Sequence, residues 1–275
     1  MKALHAGVLA LAVTHCGDAR PAPAGAEHVG MVESAITNGA PDTGHPAVGA
    51  LYTDSGFQCS ATLVGTRTVL MAAHCIAPGV TGYRFVLEGR SFAAASVTPH
   101  PMYDPSTERV DVGMVMLAEV PPVEPMSLSP DAPVGGLPIS IVGLGCPDGA
   151  ARGCVPGTKR VARNVVDAVT ADELVFTTRA GDADAGGHCD GDSGGPALAT
   201  AGEGEVVVGV STWGAVGCLG ENRDARVDTV LAWLAATSGG DVRVAPHGAW
   251  VLPAAPSPSP SPSPPPAARG CAVSE

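Results

Sequence analysis

Short apolar or alternating segments recur through the middle of the chain, and Gly, Pro and Asp separate them. Regular spacing of such segments is typical of an antiparallel sandwich or barrel and not of a βαβ array, in which helices lie between the strands. The pattern therefore predicts an all-β domain that begins near Ile36. The segments are residues 47–53, 60–75, 84–89, 111–117, 139–145, 173–178 and 205–213.

One later segment has the spacing of a helix. Residues 227–240, VDTVLAWLAATSGG, place apolar side chains on about half of a helical surface. Asp228 is expected at the N-cap, and Gly239 is expected to end the helix. The domain is therefore predicted to close with a C-terminal helix.

The composition agrees with short strands and excludes one class of partner. The 36 glycines and 26 prolines favour tight turns, and only 4% of the residues are aromatic. The formal net charge of −12 would repel phosphate backbones, so we expect no nucleic-acid partner. The sequence contains no phosphate loop, cofactor motif or C-x-x-C pair, so we expect neither a cofactor nor a metal.

The first residues are typical of a secretion signal. Lys2 precedes an apolar run at 3–13, which is too short to span a bilayer. Two processing routes remain open, because Cys16 in VTHC could be acylated, or the chain could be cleaved within PAPAGA at 21–26. Either route predicts an exported protein that is secreted or attached to the cell surface.

The last residues have the composition of a stalk. Pro and Ser alternate through residues 256–266, which favours extended polyproline conformers. The tail ends with Cys271 and resembles the start of C-terminal sorting tails on some Gram-negative surface proteins; a tail with an incidental cysteine is the alternative. The predicted organisation is a signal or lipoprotein signal peptide at 1–16, a propeptide or leader at 17–35, the main domain at 36–240, an extension without an assigned role at 241–253, and the stalk and tail at 254–275.

The eight cysteines of this chain predict disulfides if it is exported. A structural zinc site is the competing interpretation, but its usual C-x-x-C spacing does not occur. Six of the cysteines lie in the middle of the chain: Cys59, Cys75, Cys146, Cys154, Cys189 and Cys218.

Three segments could together supply nucleophilic catalysis by serine, which requires a base, a group that orients the base, and N–H donors for an oxyanion. His74 follows an apolar run in MAAHC, Asp111 precedes a buried run in DVGMVML, and Ser193 lies in CDGDSGGP. The glycines of the last motif allow the N–H groups of Gly191 and Ser193 to point at one spot. Each residue alone is a weak signal, because an isolated His or Asp is more often structural.

The segment GDSGG also matches the G-x-S-x-G elbow of α/β-hydrolase esterases. In that interpretation His247 would be the base, after Asp228 or Asp241. The elbow requires a helix directly after the serine, and Gly194, Gly195 and Pro196 oppose one. We therefore disfavour this alternative.

Taken together, MAAHC, DVGMVML and CDGDSGGP, in the order His, Asp, Ser, resemble the trypsin/chymotrypsin family of serine endopeptidases, of the secreted bacterial type. The resemblance covers Ile36 to about Thr237. It implies two packed six-stranded antiparallel β-barrels with a C-terminal helix and a catalytic cleft between the barrels. It also implies that His74 acts as general base and then acid, that Asp111 orients it, and that Ser193 attacks the peptide carbonyl of a protein or peptide substrate.

The resemblance implies several further pairings. Disulfides are expected between Cys59 and Cys75 and between Cys189 and Cys218, which leaves Cys146 and Cys154 to close a local loop. The segment ITNG at 36–39 resembles the mature N-terminus of the family. Cleavage after Ala35 would then free an amine on Ile36 that pairs with Asp192, and the precursor would be a zymogen.

The expected specificity pocket departs from that of trypsin-like members. They carry an Asp six residues before the serine, where this chain has Gly187, so cleavage after Lys or Arg is not expected. His188 and Asp190 are expected at a solvated rim, although a role of His188 in recognising an acidic side chain is the alternative. The preferred side chains are expected to be small or medium and uncharged. The expected substrate-binding residues are Gly187, Thr212, Trp213 and Gly214.

A catalytically silent homologue is the alternative function. Such a protein would act as a binding module on the Pro/Ser stalk, attached to a membrane through a lipid on Cys16 or to the surface by sorting at Cys271. Loss of a triad residue is the usual mark of silent homologues, and all three residues are present here. The endopeptidase is therefore the preferred prediction.

Overall fold

The computed structural model describes residues 36–145, 158–202 and 204–252. These residues form fourteen strands, one 3₁₀ turn at Ala73–Cys75 and one helix. The elements are β1 (Ala40–Pro41), β2 (Val48–Thr53), β3 (Gly56–Leu63), β4 (Thr68–Met71), β5 (Arg84–Leu87), β6 (Arg90–Pro99), β7 (Gly113–Leu117), β8 (Pro138–Gly143), β9 (Arg160–Val165), β10 (Ala168–Val169), β11 (Glu173–Thr178), β12 (Pro196–Ala201), β13 (Gly204–Gly214), β14 (Gly220–Arg226) and α1 (Leu231–Thr237).

The first half of the described chain is a closed barrel. Its six strands are hydrogen-bonded in the order β2-β3-β4-β7-β6-β5, and every pair is antiparallel. Apolar side chains from the strands, including Leu51, Phe85 and Met114, fill the interior and are almost fully buried. Closure pairs every strand on both edges, so the barrel exposes no unpaired edge.

The second half is an eight-stranded antiparallel sheet with the order β1-β9-β8-β12-β13-β14-β11-β10. Its six longer strands curl so far that β9 and β11 meet, and Asn164 Nδ2 donates to Thr177 O across them at 3.1 Å. Strand β11 shows the predicted alternation, since Leu174 and Phe176 are buried between more exposed neighbours. The all-β prediction is confirmed in both halves.

The C-terminal helix is confirmed, but it is shorter than the sequence predicted. It begins at Leu231 with Val230 at the N-cap, and no side chain caps it. The N-cap prediction for Asp228 is wrong, because its Oδ2 lies 2.7 Å from Arg226 Nη2 and this ion pair holds it before the helix. Gly239 follows the helix end with a φ of 68°, which suits the expected stop.

Residues 241–252 form a strap that crosses both halves. Both oxygens of the Asp241 carboxylate accept hydrogen bonds from the loop between β3 and β4 and from the first residue of β4. The donors are Thr66 N and Oγ1 at 2.8 and 2.7 Å, Arg67 N at 2.8 Å and Thr68 Oγ1 at 2.9 Å. The strap then pairs with the linker between the halves, where Ala245 N donates to Leu128 O at 2.9 Å.

The strap ends on the second half of the molecule. Trp250 Nε1 donates to Ala132 O at 3.0 Å, and Val251 N donates to Thr200 O on β12 at 3.4 Å. The extension to which the sequence assigned no role is therefore part of the folded domain in the described range.

We predict that Asp241→Ala lowers the free energy of unfolding by about 1–3 kcal/mol, because four donors lose their charged acceptor. Denaturant unfolding measures this in a Ser193→Ala background, which removes the predicted nucleophile. Asp184→Ala is the matched control, since Asp184 is exposed and its carboxylate accepts no hydrogen bond within the described chain. Equal unfolding midpoints for the two variants would contradict the anchoring role of Asp241.

Candidate active site

His74 and Asp111 meet at the end of the first barrel. His74 lies in the 3₁₀ turn after β4, and Asp111 lies just before β7; the register of these paired strands, Met71 with Gly113, brings the two together. His74 N lies 2.8 Å from Asp111 Oδ1, and His74 Nδ1 lies 2.5 Å from Asp111 Oδ2. Asp111 is fully buried, whereas 28% of the His74 side chain is exposed.

These contacts fix the tautomer and the direction of the imidazole. A buried carboxylate accepts, so His74 Nδ1 carries the proton that faces Asp111. The other ring nitrogen, Nε2, therefore has a lone pair when the ring is neutral. A disulfide between Cys59 and Cys75 joins β3 to the residue after His74, as the family resemblance implied.

The loop that carries Ser193 packs against the end of the first barrel. Ser60 N, on β3, donates to the backbone oxygens of Gly191 and Ser193 at 3.1 and 3.0 Å. Gly194 has a φ of 81° and sits so close that a Cβ there would lie 2.9 Å from Ala72 N. Only glycine allows both this conformation and this approach. The serine is therefore held next to the segment that continues into the His74 turn.

The backbone N–H groups of Asp190, Gly191 and Ser193 in this loop have no acceptor within the described chain. Two of them, those of Gly191 and Ser193, are the pair that the sequence predicted for an oxyanion. Gly191 adopts a φ of 86°, which a residue with a Cβ rarely does. The loop thus offers this pair of donors, without a protein partner, on either side of Asp192.

Asp192 is fully buried and joins three segments of the chain. Its Oδ2 accepts from Ile36 N at 2.8 Å and Cys189 N at 2.9 Å, and its Oδ1 accepts from Gly145 N at 2.8 Å. Ile36 is also fully buried. Burial raises the pKa of Asp192, and the hydrogen bond from the Ile36 amide opposes this rise. The predicted partners Ile36 and Asp192 are therefore adjacent.

Two glycines in VGLG make room for this carboxylate, and the sequence pattern did not predict their role. A Cβ at Gly143 would overlap Asp192 Oδ1 and lie 2.8 Å from its Cγ, and a Cβ at Gly145 would lie 2.8 Å from Oδ1. The signal available in the sequence was the alternation of Gly with apolar residues directly after a strand.

A cavity of about 510 Å³ opens beside Ser193 and is lined by residues 188–190, 193 and 211–218. It includes three of the expected substrate-binding residues, Thr212, Trp213 and Gly214. Gly187 is not in the lining; a Cβ there would overlap Thr178 Oγ1.

The expectation of a solvated rim is wrong for His188, whose side chain is only 3% exposed. It is buried because its Nε2 lies 2.8 Å from Asp224 Oδ1, on β14 inside the second half. Asp190 is exposed, as expected. A disulfide joins Cys189 to Cys218 across the cavity wall, whereas Cys146 and Cys154 lie outside the described residues.

The fold contradicts the esterase interpretation. Ser193 is followed by strand β12 and not by a helix, and both sheets are antiparallel. His247, the base of that interpretation, lies 2.5 Å from Asp131 Oδ1 through its Nδ1 and does not line the cavity beside Ser193.

Comparisons with known proteins show that the sequence and the fold are similar to those of serine proteases. The sequence matches the trypsin family over residues 36–234. It is 28% identical over 197 residues to Kallikrein-15 of Saguinus oedipus, and the alignment covers 62% of this chain and 76% of that protein. The fold is similar to the solved structure of neuropsin, a serine protease expressed in the limbic system of mouse brain. That similarity has a TM-score of 0.62 and 21% sequence identity, and it covers 74% of this chain and 98% of the other.

We predict that Gly143→Ala destabilises the protein by about 1–3 kcal/mol, because the added methyl group must displace a buried carboxylate held by three donors. Denaturant unfolding in the Ser193→Ala background measures the loss, and hydrogen exchange should show weaker protection of the N–H groups of Asp192, Gly194 and Gly195, which donate to backbone oxygens in or beside this loop. Gly204→Ala is the control, since a Cβ at Gly204 would meet no atom within 4 Å. A loss no larger than that of Gly204→Ala would contradict the steric argument.

Proposed function

The chain belongs to the trypsin family, and on that premise we propose that His74, Asp111 and Ser193 are the catalytic triad of this serine endopeptidase. The observation that carries the proposal is the buried Asp111 carboxylate, which accepts from both the backbone N–H and the Nδ1 of His74. This double contact fixes the position and the tautomer of the ring together. The substrates are proteins or peptides.

In the proposed reaction, His74 Nε2 removes the hydroxyl proton of Ser193 as Oγ attacks the scissile carbonyl. The carbonyl oxygen becomes an oxyanion, and the N–H groups of Gly191 and Ser193 donate to it. His74 then gives the proton to the leaving amine, and an acyl-enzyme remains. A water molecule then attacks the acyl-enzyme with His74 as its base. This second attack releases the acid product and regenerates the hydroxyl of Ser193.

Asp111 acts on this reaction through charge. Proton transfer makes His74 an imidazolium, and the buried carboxylate at 2.5 Å stabilises that cation at the moment when it forms. The same carboxylate would be costly to bury without this partner. The attraction between Asp111 and His74 is therefore strongest in the transition state, and only interactions that are stronger there than in the ground state accelerate a reaction.

We predict that a fluorophosphonate probe labels the mature protein and that Ser193→Ala abolishes labelling. His74→Ala and Asp111→Asn should each slow it by about 10³–10⁴-fold, because the hydroxyl loses its base or the base loses its orientation. The rate of labelling measures each effect. His247→Ala is the control, and its labelling rate should equal that of the wild type. Absence of labelling in the mature wild type would instead support a silent homologue that acts as a binding module.

We propose that cleavage after Ala35 activates the protein. Ile36 N already lies 2.8 Å from Asp192 Oδ2, where it donates as an uncharged amide. Cleavage would turn it into an α-amine with an ordinary pKa of about 8, largely protonated at neutral pH, and so add a cation beside a buried carboxylate. Because Asp192 lies between the two proposed oxyanion donors, its pairing would order them.

The backbone of Ile36 supports the same proposal. Its φ is 47°, a left-handed conformation that β-branched residues rarely adopt. The φ constraint exists only while residue 35 is attached, so cleavage would release a strain of roughly 1–3 kcal/mol. Charge and strain therefore both favour the cleaved chain.

We predict that replacing residues 31–35 with an enteropeptidase site, Asp-Asp-Asp-Asp-Lys, gives a chain that gains reactivity only when it is cut before Ile36. The gain in fluorophosphonate labelling should be at least about 100-fold, since an unpaired buried charge costs about 3–5 kcal/mol. Mass spectrometry of the intact chain confirms the new N-terminus. The same cleavable chain carrying Asp192→Asn should gain little. Equal reactivity of the uncut and cut chains would rule out a zymogen.

We propose that the protein is exported, secreted or held at the cell surface. The two disulfides of the described chain suit an oxidising compartment. No helix in the described ranges is long and apolar enough to cross a membrane. The signal peptide, the leader, the stalk and the modification of Cys16 or Cys271 lie outside the described residues and stay predictions.

A further inference from the structure

Residues 36–45, called here the N-terminal segment, lie along the second half of the molecule before the chain enters the first barrel at β2. Thr37 N donates to Gly187 O at 2.8 Å, and β1 pairs with β9. The segment begins with Ile36, whose amine would pair with Asp192 after the proposed cleavage. A contact that holds the segment on the second half therefore also holds this amine in place.

His45 ends the N-terminal segment, and both nitrogens of its ring lie against carboxylates. Nδ1 lies 2.9 Å from Asp42 Oδ1, and Nε2 lies 3.0 Å from Glu205 Oε2. Asp42 belongs to the segment itself, whereas Glu205 lies on β13 in the second half. The ring of His45 therefore joins the end of the segment to a strand of the second half.

The two distances define the protonation state of this ring. An ionised carboxylate only accepts hydrogen bonds, and a neutral imidazole carries a single N–H. Both contacts can therefore form together only when His45 is an imidazolium that donates from Nδ1 and from Nε2. Such hydrogen bonds between ions are stronger than neutral ones. The side chain of His45 is only 13% exposed, so salt screens these contacts little.

Two cations lie near this site without pairing with its carboxylates in the described chain. Lys159 Nζ donates to His45 O at 2.7 Å and lies 3.5 Å from Glu88 Oε1. Arg163 lines a small cavity together with Glu205, but the two side chains form no ion pair. Neither cation therefore replaces the imidazolium as the partner of Glu205.

Loss of the ring proton would release Glu205 and not Asp42. The side chain of Asp42 is 4% exposed, and its Oδ2 is buried without a hydrogen-bond partner in the described chain, so Asp42 needs the N–H of the ring. The side chain of Glu205 is 40% exposed and can turn into water. A neutral His45 would thus keep its proton on Nδ1 and present a lone pair to Glu205, which repels it.

We propose that His45 is a positioning residue: as an imidazolium it holds the end of the N-terminal segment against Glu205, and so keeps the Ile36 amine beside Asp192 in the cleaved enzyme. The part of this inference that concerns Ile36 rests on the proposed function. The contact between His45 and Glu205 does not, because it is present in the uncleaved chain.

The contact has a window of pH. The hydrogen bond with Glu205 raises the pKa of His45 above its ordinary 6.5 although burial opposes the rise, and it lowers the pKa of Glu205 below its ordinary 4.5. Stabilisation by the histidine is complete below 6.5 and is lost as the pH rises through its folded-state pKa. Stabilisation by the glutamate is complete above 4.5 and is lost as the pH falls through its folded-state pKa.

The first test is an NMR titration of the assigned His45 ring in the full chain carrying Ser193→Ala. We expect a pKa above 6.5, and a lower pKa when Glu205→Gln is added, because the carboxamide has no charge. The carboxamide can accept from the imidazolium or donate to the neutral ring, so this variant keeps the contact in both states. Glu119→Gln is the control, since it removes an exposed charge that has no partner in the described chain, and it should leave the titration unchanged.

The second test follows hydrogen exchange at Thr37 N–H in the same chains from about pH 6 to about pH 9. After correction for the intrinsic exchange rate, protection should fall by up to about tenfold for each unit by which the folded-state pKa of His45 exceeds its ordinary value. The titration therefore sets the size of the fall in advance. Protection in Glu205→Gln should stay constant over this range.

The third test uses the chain with the enteropeptidase site after cleavage and measures its rate of fluorophosphonate labelling. The ratio of the rate without Glu205→Gln to the rate with it should fall by at least about threefold between about pH 6 and about pH 9, which corresponds to half a pKa unit. A ratio removes the pH dependence that both chains share through His74 and the Ile36 amine.

Three results would overturn this inference: a pKa of His45 at or below 6.5, an equal pH dependence of Thr37 protection with and without Glu205→Gln, and a constant labelling ratio. The titration needs no change at the contact, so it decides the question even if Glu205→Gln fails to fold. The first two measurements do not involve catalysis, and their failure leaves the proposed function intact. Cleaved enzyme that is not labelled at any pH rejects the proposed function instead.

Discussion

The burial of the Asp192 carboxylate is the constraint on which the arrangement of the site depends. Its two oxygens accept three backbone N–H groups, from Ile36, Gly145 and Cys189, so one side chain joins the start of the domain, the end of β8 and the serine loop. Since Gly191 and Ser193 flank it, any shift of Asp192 moves both N–H groups that face the proposed oxyanion. Asp192 therefore holds both Cys189, in the wall of the cavity, and the loop that carries Ser193.

Two other carboxylates are buried and paired with a nitrogen in the same way. Asp111, Asp192 and Asp224 are all fully buried, and each is matched to a different nitrogen partner: the ring of His74, the backbone of Ile36 and the ring of His188. A buried carboxylate without such a partner would cost several kcal/mol, about 3–5 when a pair is broken. In the proposed mechanism the first pair orients the base and the second orders the loop that carries Ser193. The third holds the ring of His188 inside the second half.

The sequence predicted what local patterns can specify. Apolar segments between turn residues predicted β8 and β11, and the three motifs together predicted that His74, Asp111 and Ser193 form the site. Strand β14 was missed because its interior positions are polar: Asn222 and Asp224 face Thr178 and His188 instead of an apolar core. The partners of such residues lie about 35–45 positions away in the chain, and periodicity carries no information about them. For the same reason the roles of Gly143 and Gly145 became visible only in three dimensions.

The strap at residues 241–252 has a mechanical consequence. A pull on the chain beyond residue 252 would first load the bonds of Val251 and Trp250 to Thr200 and Ala132, and then the pairing with the linker. The four bonds to Asp241 would carry the load last. Tension at that end would therefore peel the strap from the surface of the molecule before it separates the strands of either half, and the cavity beside Ser193 would keep its shape.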